Sequence, residues 1–142
     1  MKIVINTCYG GFGLSNFAYK ELLKRKGKEC YFYNHRWGSG YTRIDDDPDK
    51  YDKYFSVIVS TKDYGKFTEE IDSEHRVYYD GDIRTDLDLI AIIEEFGSEK
   101  CSGRYAELEI EDIPSGTLYR IDEYDGYEGI EYREEIDWLI AE

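Results

Sequence analysis

Three glycines crowd the stretch Cys8-Tyr9-Gly10-Gly11-Phe12-Gly13-Leu14-Ser15, between an apolar run and a helical pattern. A loop in that position exposes backbone N–H groups at the positive end of a helix dipole, where an anion is favoured. Gly10, Gly11 and Gly13 allow left-handed backbone angles and close approach of a ligand, and Ser15 adds a hydroxyl. The chemistry this pattern suits is capture of a phosphate. It is not a Walker A motif, because no Lys-Ser/Thr pair follows, and it is not G-x-G-x-x-G. A tight turn that packs a helix onto a strand explains the same glycines equally well.

Other residues could share such a site. Lys62 follows the most apolar strand candidate, and ligands of open α/β sheets sit beyond the carboxyl ends of strands. Arg36 and Arg43 flank a Trp37-Gly38-Ser39-Gly40 turn, where with Trp37 and Tyr41 they could stack on a base and clamp its phosphate. The candidate ligand-binding set is therefore Tyr9, Gly10, Gly11, Phe12, Gly13, Ser15, Arg36 and Lys62. A surface lysine and a solvated hairpin are the plain alternatives.

No catalytic or metal-binding set emerges. His35 and His75 share no ligand spacing. The cysteines Cys8, Cys30 and Cys101 are odd in number and form no C-x-x-C, so they read as small buried hydrophobes. Asp45–Asp49 lacks the EF-hand pattern and reads as a solvated turn. Arg84 and Arg104 stand near Asp86 and Glu107, which suggests internal ion pairs. Glu123 and Asp125 lie beside an Asp125-Gly126 turn with no partner for acid–base work. No cofactor is called for.

Elements that would position these residues follow from periodicity. Lys2–Asn6 reads as a buried strand. Leu14, Phe17, Ala18 and Leu22 share a helical face capped by Ser15 or Asn16 and closed by Lys24–Lys26 and Gly27. Glu29–Asn34 reads as a second strand, so strand–loop–helix–strand forms a βαβ unit with a parallel pair expected. Phe55–Ser60 and Arg76–Tyr79 are further strands. Thr85-x-x-Asp88 resembles a capping box opening a helix that Gly97 ends. Arg104–Glu111 alternates as a half-exposed strand, Thr117–Asp122 is another, and Glu131–Ala141 suggests a terminal helix. The expectation is a single α/β domain over residues 1–142, a mixed sheet with the N-terminal βαβ unit and C-terminal antiparallel strands.

Composition bounds the rest. The chain of 142 residues carries a formal charge of −14, unevenly spread. Residues 1–43 sum to +6, whereas 44–103 and 104–142 each sum to −10. Direct nucleic-acid binding needs clustered cations and is not expected. The basic third could hold a small anion, or its helix face could pair with acidic segments elsewhere. Fifteen tyrosines make an aromatic-lined pocket or an interaction surface plausible. No run of about 20 apolar residues is present to span a membrane, and the glycines begin too early for a secretory signal, so a cytoplasmic setting is expected.

The glycine motif, Ser60-Thr61-Lys62-Asp63, Arg84-x-Asp86, Glu94-Glu95-Phe96-Gly97, Gly103-Arg104-Tyr105-Ala106 and Ile121-Asp122-Glu123-Tyr124-Asp125-Gly126 together resemble a family of small uncharacterised proteins of tailed bacteriophages. The resemblance spans the chain except about 35–58 and brings no assigned activity. It implies an accessory protein in an infected bacterial cytoplasm, of a kind that often interferes with host defence. The resulting expectation is a binder of a nucleotide-like phosphorylated ligand, sequestering a defence signal. The alternatives are an acidic protein–protein inhibitor or DNA mimic aimed at a host defence protein, and a nucleotide-processing enzyme. A homo-oligomer would suit a small binder whose pocket lies between subunits.

Overall fold

The computed structural model describes residues 1–36, 38–44 and 57–133. Among the described residues, nine strands and three α-helices follow in the order β1 (Lys2–Asn6), α1 (Asn16–Arg25), β2 (Tyr31–Arg36), β3 (Gly40–Arg43), β4 (Val57–Ser60), β5 (Phe67–Thr68), β6 (Arg76–Val77), α2 (Leu87–Phe96), α3 (Ser98–Cys101), β7 (Leu108–Asp112), β8 (Tyr119–Tyr124) and β9 (Tyr127–Tyr132), with a short 3-10 helix (Gly81–Ile83) before α2. The fold is α/β, with helices packed on antiparallel sheets. One sheet has the order β5-β3-β2-β4-β6, while β1 pairs with β7 and β8 with β9.

The strand–loop–helix–strand order appears as expected, but the parallel pair does not. Every pairing between the described strands is antiparallel, and β1 and β2 lie in different sheets. The reason is that neither strand has an edge to offer the other. β2 is flanked by β3 and β4. β1 bonds β7 on one side, and on the other its Val4 and Asn6 N–H groups donate to the Arg84 carbonyl and the Glu128 carboxylate. Backbone donors this deeply buried must find acceptors, and here non-strand groups supply them.

α1 begins at Ser15, whose hydroxyl oxygen accepts the Ala18 N–H at 3.1 Å. Its Ala18, Tyr19, Leu22 and Leu23 are buried. α2 buries Leu89, Ile90, Ile92 and Ile93. Its cap is Asp86 rather than Thr85: the Asp86 carboxylate accepts from Leu89 N–H, three residues on, as a cap must. Leu87, the first residue of the helix, is 81% exposed. Gly97 ends the helix at φ 91°, where a side chain would be strained. The two helices run antiparallel, with Phe17 edge-on to Phe96 at one end and Lys26 paired to Asp86 and Asp88 at the other. Those pairs, with Arg25–Glu95 and Lys2–Glu94, match much of the basic N-terminal third to the acidic second helix.

Helix faces, Val4, Phe32, Val59, Cys101 and Leu108 form one buried cluster that joins the five-stranded sheet to β1 and β7. β7 starts at Leu108, four residues after the expected Arg104, because Gly103 to Glu107 are spent in turns against the glycine loop. β8 and β9 form a hairpin around Asp125-Gly126, both at positive φ. Glu131 and Tyr132, expected to open a terminal helix, belong to β9; residues 134–141 of that segment, the turn around Pro48, Trp37, and Phe55 and Ser56 lie outside the described residues.

Candidate functional site

The glycine loop is a packing joint. A Cβ on Gly10 would lie 2.2 Å from the Tyr105 carbonyl oxygen, and one on Gly126 would lie 2.7 Å from the Gly10 and Gly11 backbone. The hairpin turn therefore rests directly on the loop, and only glycine fits at the contact. Buried Asn6 ties the same parts together. Its amide donates to the carbonyls of Cys8 and Gly126, and its side-chain oxygen accepts the Glu107 N–H. The Cys8 thiol donates to the Tyr105 carbonyl at 3.2 Å. Ser15 is engaged as helix cap and as a donor to the Lys100 carbonyl at 2.6 Å. Phe12 lies beneath the Arg84 guanidinium, 4.6 Å from ring centre to carbon. Gly11 has φ 147° and, like Gly13, open space where a Cβ would stand. Tyr9 projects outward onto Tyr127.

Lys62 and Arg36 are not brought to this loop or to each other. Within β2, Phe32 faces the helices, so Tyr31, Tyr33 and His35 face the opposite side of the sheet. Lys62 is on that outer side, its ammonium 4.9 Å above the Tyr64 ring. Arg36 is at the far end of β2, about 17 Å along the strand from Tyr31, beside which β4 ends at Ser60.

That outer face gathers aromatic and cationic groups which the sequence scatters. Arg43 sits 4.4 Å above the Tyr31 ring and pairs with Asp63 at 2.8 Å. His35 stacks on Tyr41 at 4.4 Å, and the Arg76 guanidinium donates to the Tyr41 hydroxyl at 2.6 Å. Tyr33 is fully buried under the segment after β4; its hydroxyl donates to the Gly65 carbonyl and accepts from the Tyr64 N–H. The Tyr31 hydroxyl donates to Glu29, and the pKa of this phenol is pushed up to about 12, first by that bond and then by desolvation.

At the β6 edge of this sheet a cleft of about 510 Å³ opens between the α1–β2 connection and the chain around β6. Lys28 and Glu29 form one wall; Glu74, Arg76, Tyr78 and Tyr79 form the other. Thr61, next to Lys62, lines it between them. Tyr79 is held in place by Tyr19: the rings stack at 5.6 Å, and the Tyr19 hydroxyl accepts the Tyr79 N–H at 3.0 Å. Burial raises the pKa of both phenols, so both stay neutral. Tyr78 stays 77% exposed and presents a free ring. The sequence signals that lead here are the cation after β4 and the Arg76–Tyr79 strand. Lys28 and Tyr78 carry no signal of their own, because register across three elements makes them neighbours.

Asp72, Glu74 and His75 place one potential ligand atom each within 4.8 Å of one another. His75, which reads as isolated in the sequence, thus has two carboxylates beside it. Asp72 accepts from the Tyr64 hydroxyl, and Glu74 lies 3.3 Å from His75 Nε2. Among the described residues no helix is long and apolar enough to cross a membrane.

Arg84 and Arg104 are both engaged within the protein, Arg84 with Glu128 rather than the neighbouring Asp86. No protein-family model matches the chain, and no curated protein or solved structure matches it.

Proposed function

We propose that the protein binds a phosphorylated, nucleotide-like small molecule in the cleft between Lys28 and Tyr78. The observation that carries this reading is the make-up of the cleft walls: two cations, Lys28 and Arg76, and an exposed tyrosine ring bordering about 510 Å³ of space, within the ~300–1,000 Å³ size range of ligand pockets. A phosphate pairs with the guanidinium and ammonium groups, Arg76 supplying a forked donor. A base stacks on Tyr78, and Glu29 and Glu74 accept from ribose hydroxyls. Lys62, beside Thr61, extends the cationic side of the same edge. The glycine loop then serves to seat the C-terminal hairpin, and its tyrosine and glycines stand outside the ligand contacts.

The resemblance to phage proteins makes nucleotide signals of host defence the first ligands to try. Thermal melting against mononucleotides, cyclic di- and trinucleotides and ADP-ribose derivatives tests the reading. A ligand at 100 times its dissociation constant adds about 2.7 kcal/mol, enough to move the midpoint by several degrees. A selective rise supports binding, and a flat panel at millimolar ligand removes the proposal.

A further inference from the structure

The Gly10–Gly126 contact has a second result: it lifts aromatic rings from separate chain segments onto one outer end of the protein. Tyr124 and Tyr127 are directly opposite in the β8–β9 register and share a face of the hairpin. They are 76% and 42% exposed. Tyr9 reaches across from the loop, its ring centre 5.4 Å from that of Tyr127 and 69% of its surface open. Tyr105, whose carbonyl touches Gly10, is equally open. Tyrosine is enriched among the residues that carry most of the binding energy of protein interfaces.

The setting selects the partner. Asp122, on the Tyr124 face of β8, and Asp125 at the turn are exposed on the same hairpin end. Arg120, the cation of β8, is engaged with Glu131 across the hairpin. Carboxylates interleaved with electron-rich ring faces attract guanidinium groups twice over, by ion pairing and by cation–π stacking, and they repel phosphate backbones and anionic membranes. The platform is also preorganised: Asn6 fixes loop and turn from below, and the Glu128 carboxylate on the hairpin's inner side is gripped by Arg84. A rigid surface loses less entropy on docking.

We propose that this tyrosine and carboxylate end of the hairpin docks an arginine-rich protein surface, independently of the cleft ligand. The probe is a fluorescein-labelled dodecapeptide of alternating Arg and Gly, followed by anisotropy with the full chain at moderate salt, with a Lys-Gly peptide and a single-stranded 20-mer DNA as comparators. Binding should favour Arg over Lys. Tyr124→Ala/Tyr127→Ala should weaken it about tenfold, since two exposed cation–π contacts together approach the 1.4 kcal/mol of a tenfold change. Asp122→Asn/Asp125→Asn should weaken it as much, whereas Glu69→Gln/Glu70→Gln, with the same change in charge elsewhere, should leave it unchanged. Equal losses from the two acidic pairs, tyrosine variants that bind fully, or tighter binding of the DNA would overturn the proposal.

Discussion

Arg84 grips both carboxylate oxygens of Glu128 across 44 residues of sequence, with one bond of 2.6 Å to Oε1 and a second, shorter one to Oε2. The same guanidinium donates to the Val4 carbonyl, and the Arg84 backbone carbonyl accepts the Val4 N–H at 2.9 Å. Glu128 Oε1 also takes the Asn6 N–H at 2.8 Å. One ion pair therefore closes the open edge of β1 and anchors the hairpin to it. The Glu128 side chain is only 5% exposed, and the Arg84 guanidinium is the counter-charge that offsets its burial.

Removing that partner should be severe. Arg84→Met leaves a buried carboxylate unpaired, and such losses cost about 3–5 kcal/mol. Urea denaturation monitored by tyrosine and tryptophan fluorescence measures it. A loss below about 1 kcal/mol contradicts the role assigned to the pair.

The glycine loop gives a contrast between neighbours. Gly10→Ala drives a methyl into the Tyr105 carbonyl, an overpacking that should cost about 1–3 kcal/mol or more. Gly13→Ala meets nothing within 4 Å and has no positive φ, so it should stay within about 0.5 kcal/mol of the wild type. Equal effects at the two positions would mean that the loop glycines serve something other than packing.

These relationships divide what sequence shows from what it hides. β1, the Ser15 cap, the helix ended by Gly97 and the Asp125-Gly126 turn depend on residues within a few positions of each other, and periodicity and capping chemistry reveal them. Strand pairing does not. Lys2–Asn6 and Tyr31–Arg36 are both good strands, yet nothing local says that β7 and a side-chain clamp will take the edges of the first. Thr85 and Asp86 differ by one position, and a carboxylate one residue later reaches the correct N–H. The glycines mark the loop correctly as a special place, but their reason, backbone of the hairpin and of Tyr105 pressed against them, lies about a hundred residues away. The cleft is similarly hidden, since Lys28 and Tyr78 meet only through the β2–β4–β6 register.

Acid should loosen the helix pair through Asp86. Burial pushes its carboxyl up, but the bonds from Lys26 and the Leu89 N–H outweigh it and hold the pKa below its ordinary 3.8. Lys26 shifts the opposite way, upward, chiefly through its bond to Asp86, as a true pair requires. A carboxylate depressed on folding contributes stability that is present above pH 3.8 and lost as pH falls through the folded value. Asp86→Asn keeps a capping side chain and removes only the charge. Its stability should be lower than the wild type at pH 7 and should converge with it as pH falls below 3.8 through the folded value. A constant gap across that range would assign the effect to something other than the ion pair.

The thiols should differ in reactivity. Cys101 is buried, and burial pushes its pKa up to about 11, so at pH 8 almost no thiolate forms. Cys8 and Cys30 are partly exposed. Mass spectrometry after iodoacetamide treatment of the folded protein should find both modified before Cys101. Early labelling of Cys101 would show that the core around α2 and α3 opens readily.

The most direct test compares two candidate locations for one ligand. Once the melting panel has named a nucleotide, calorimetric titration should be run on the wild type, Arg76→Glu, Lys28→Glu and Tyr9→Ala, each confirmed folded by circular dichroism. The cleft account predicts that the two charge reversals abolish measurable binding and that Tyr9→Ala, at the exposed tip of the glycine loop, binds like the wild type. Full binding by Arg76→Glu and Lys28→Glu with loss in Tyr9→Ala would contradict it and return the site to the glycine loop.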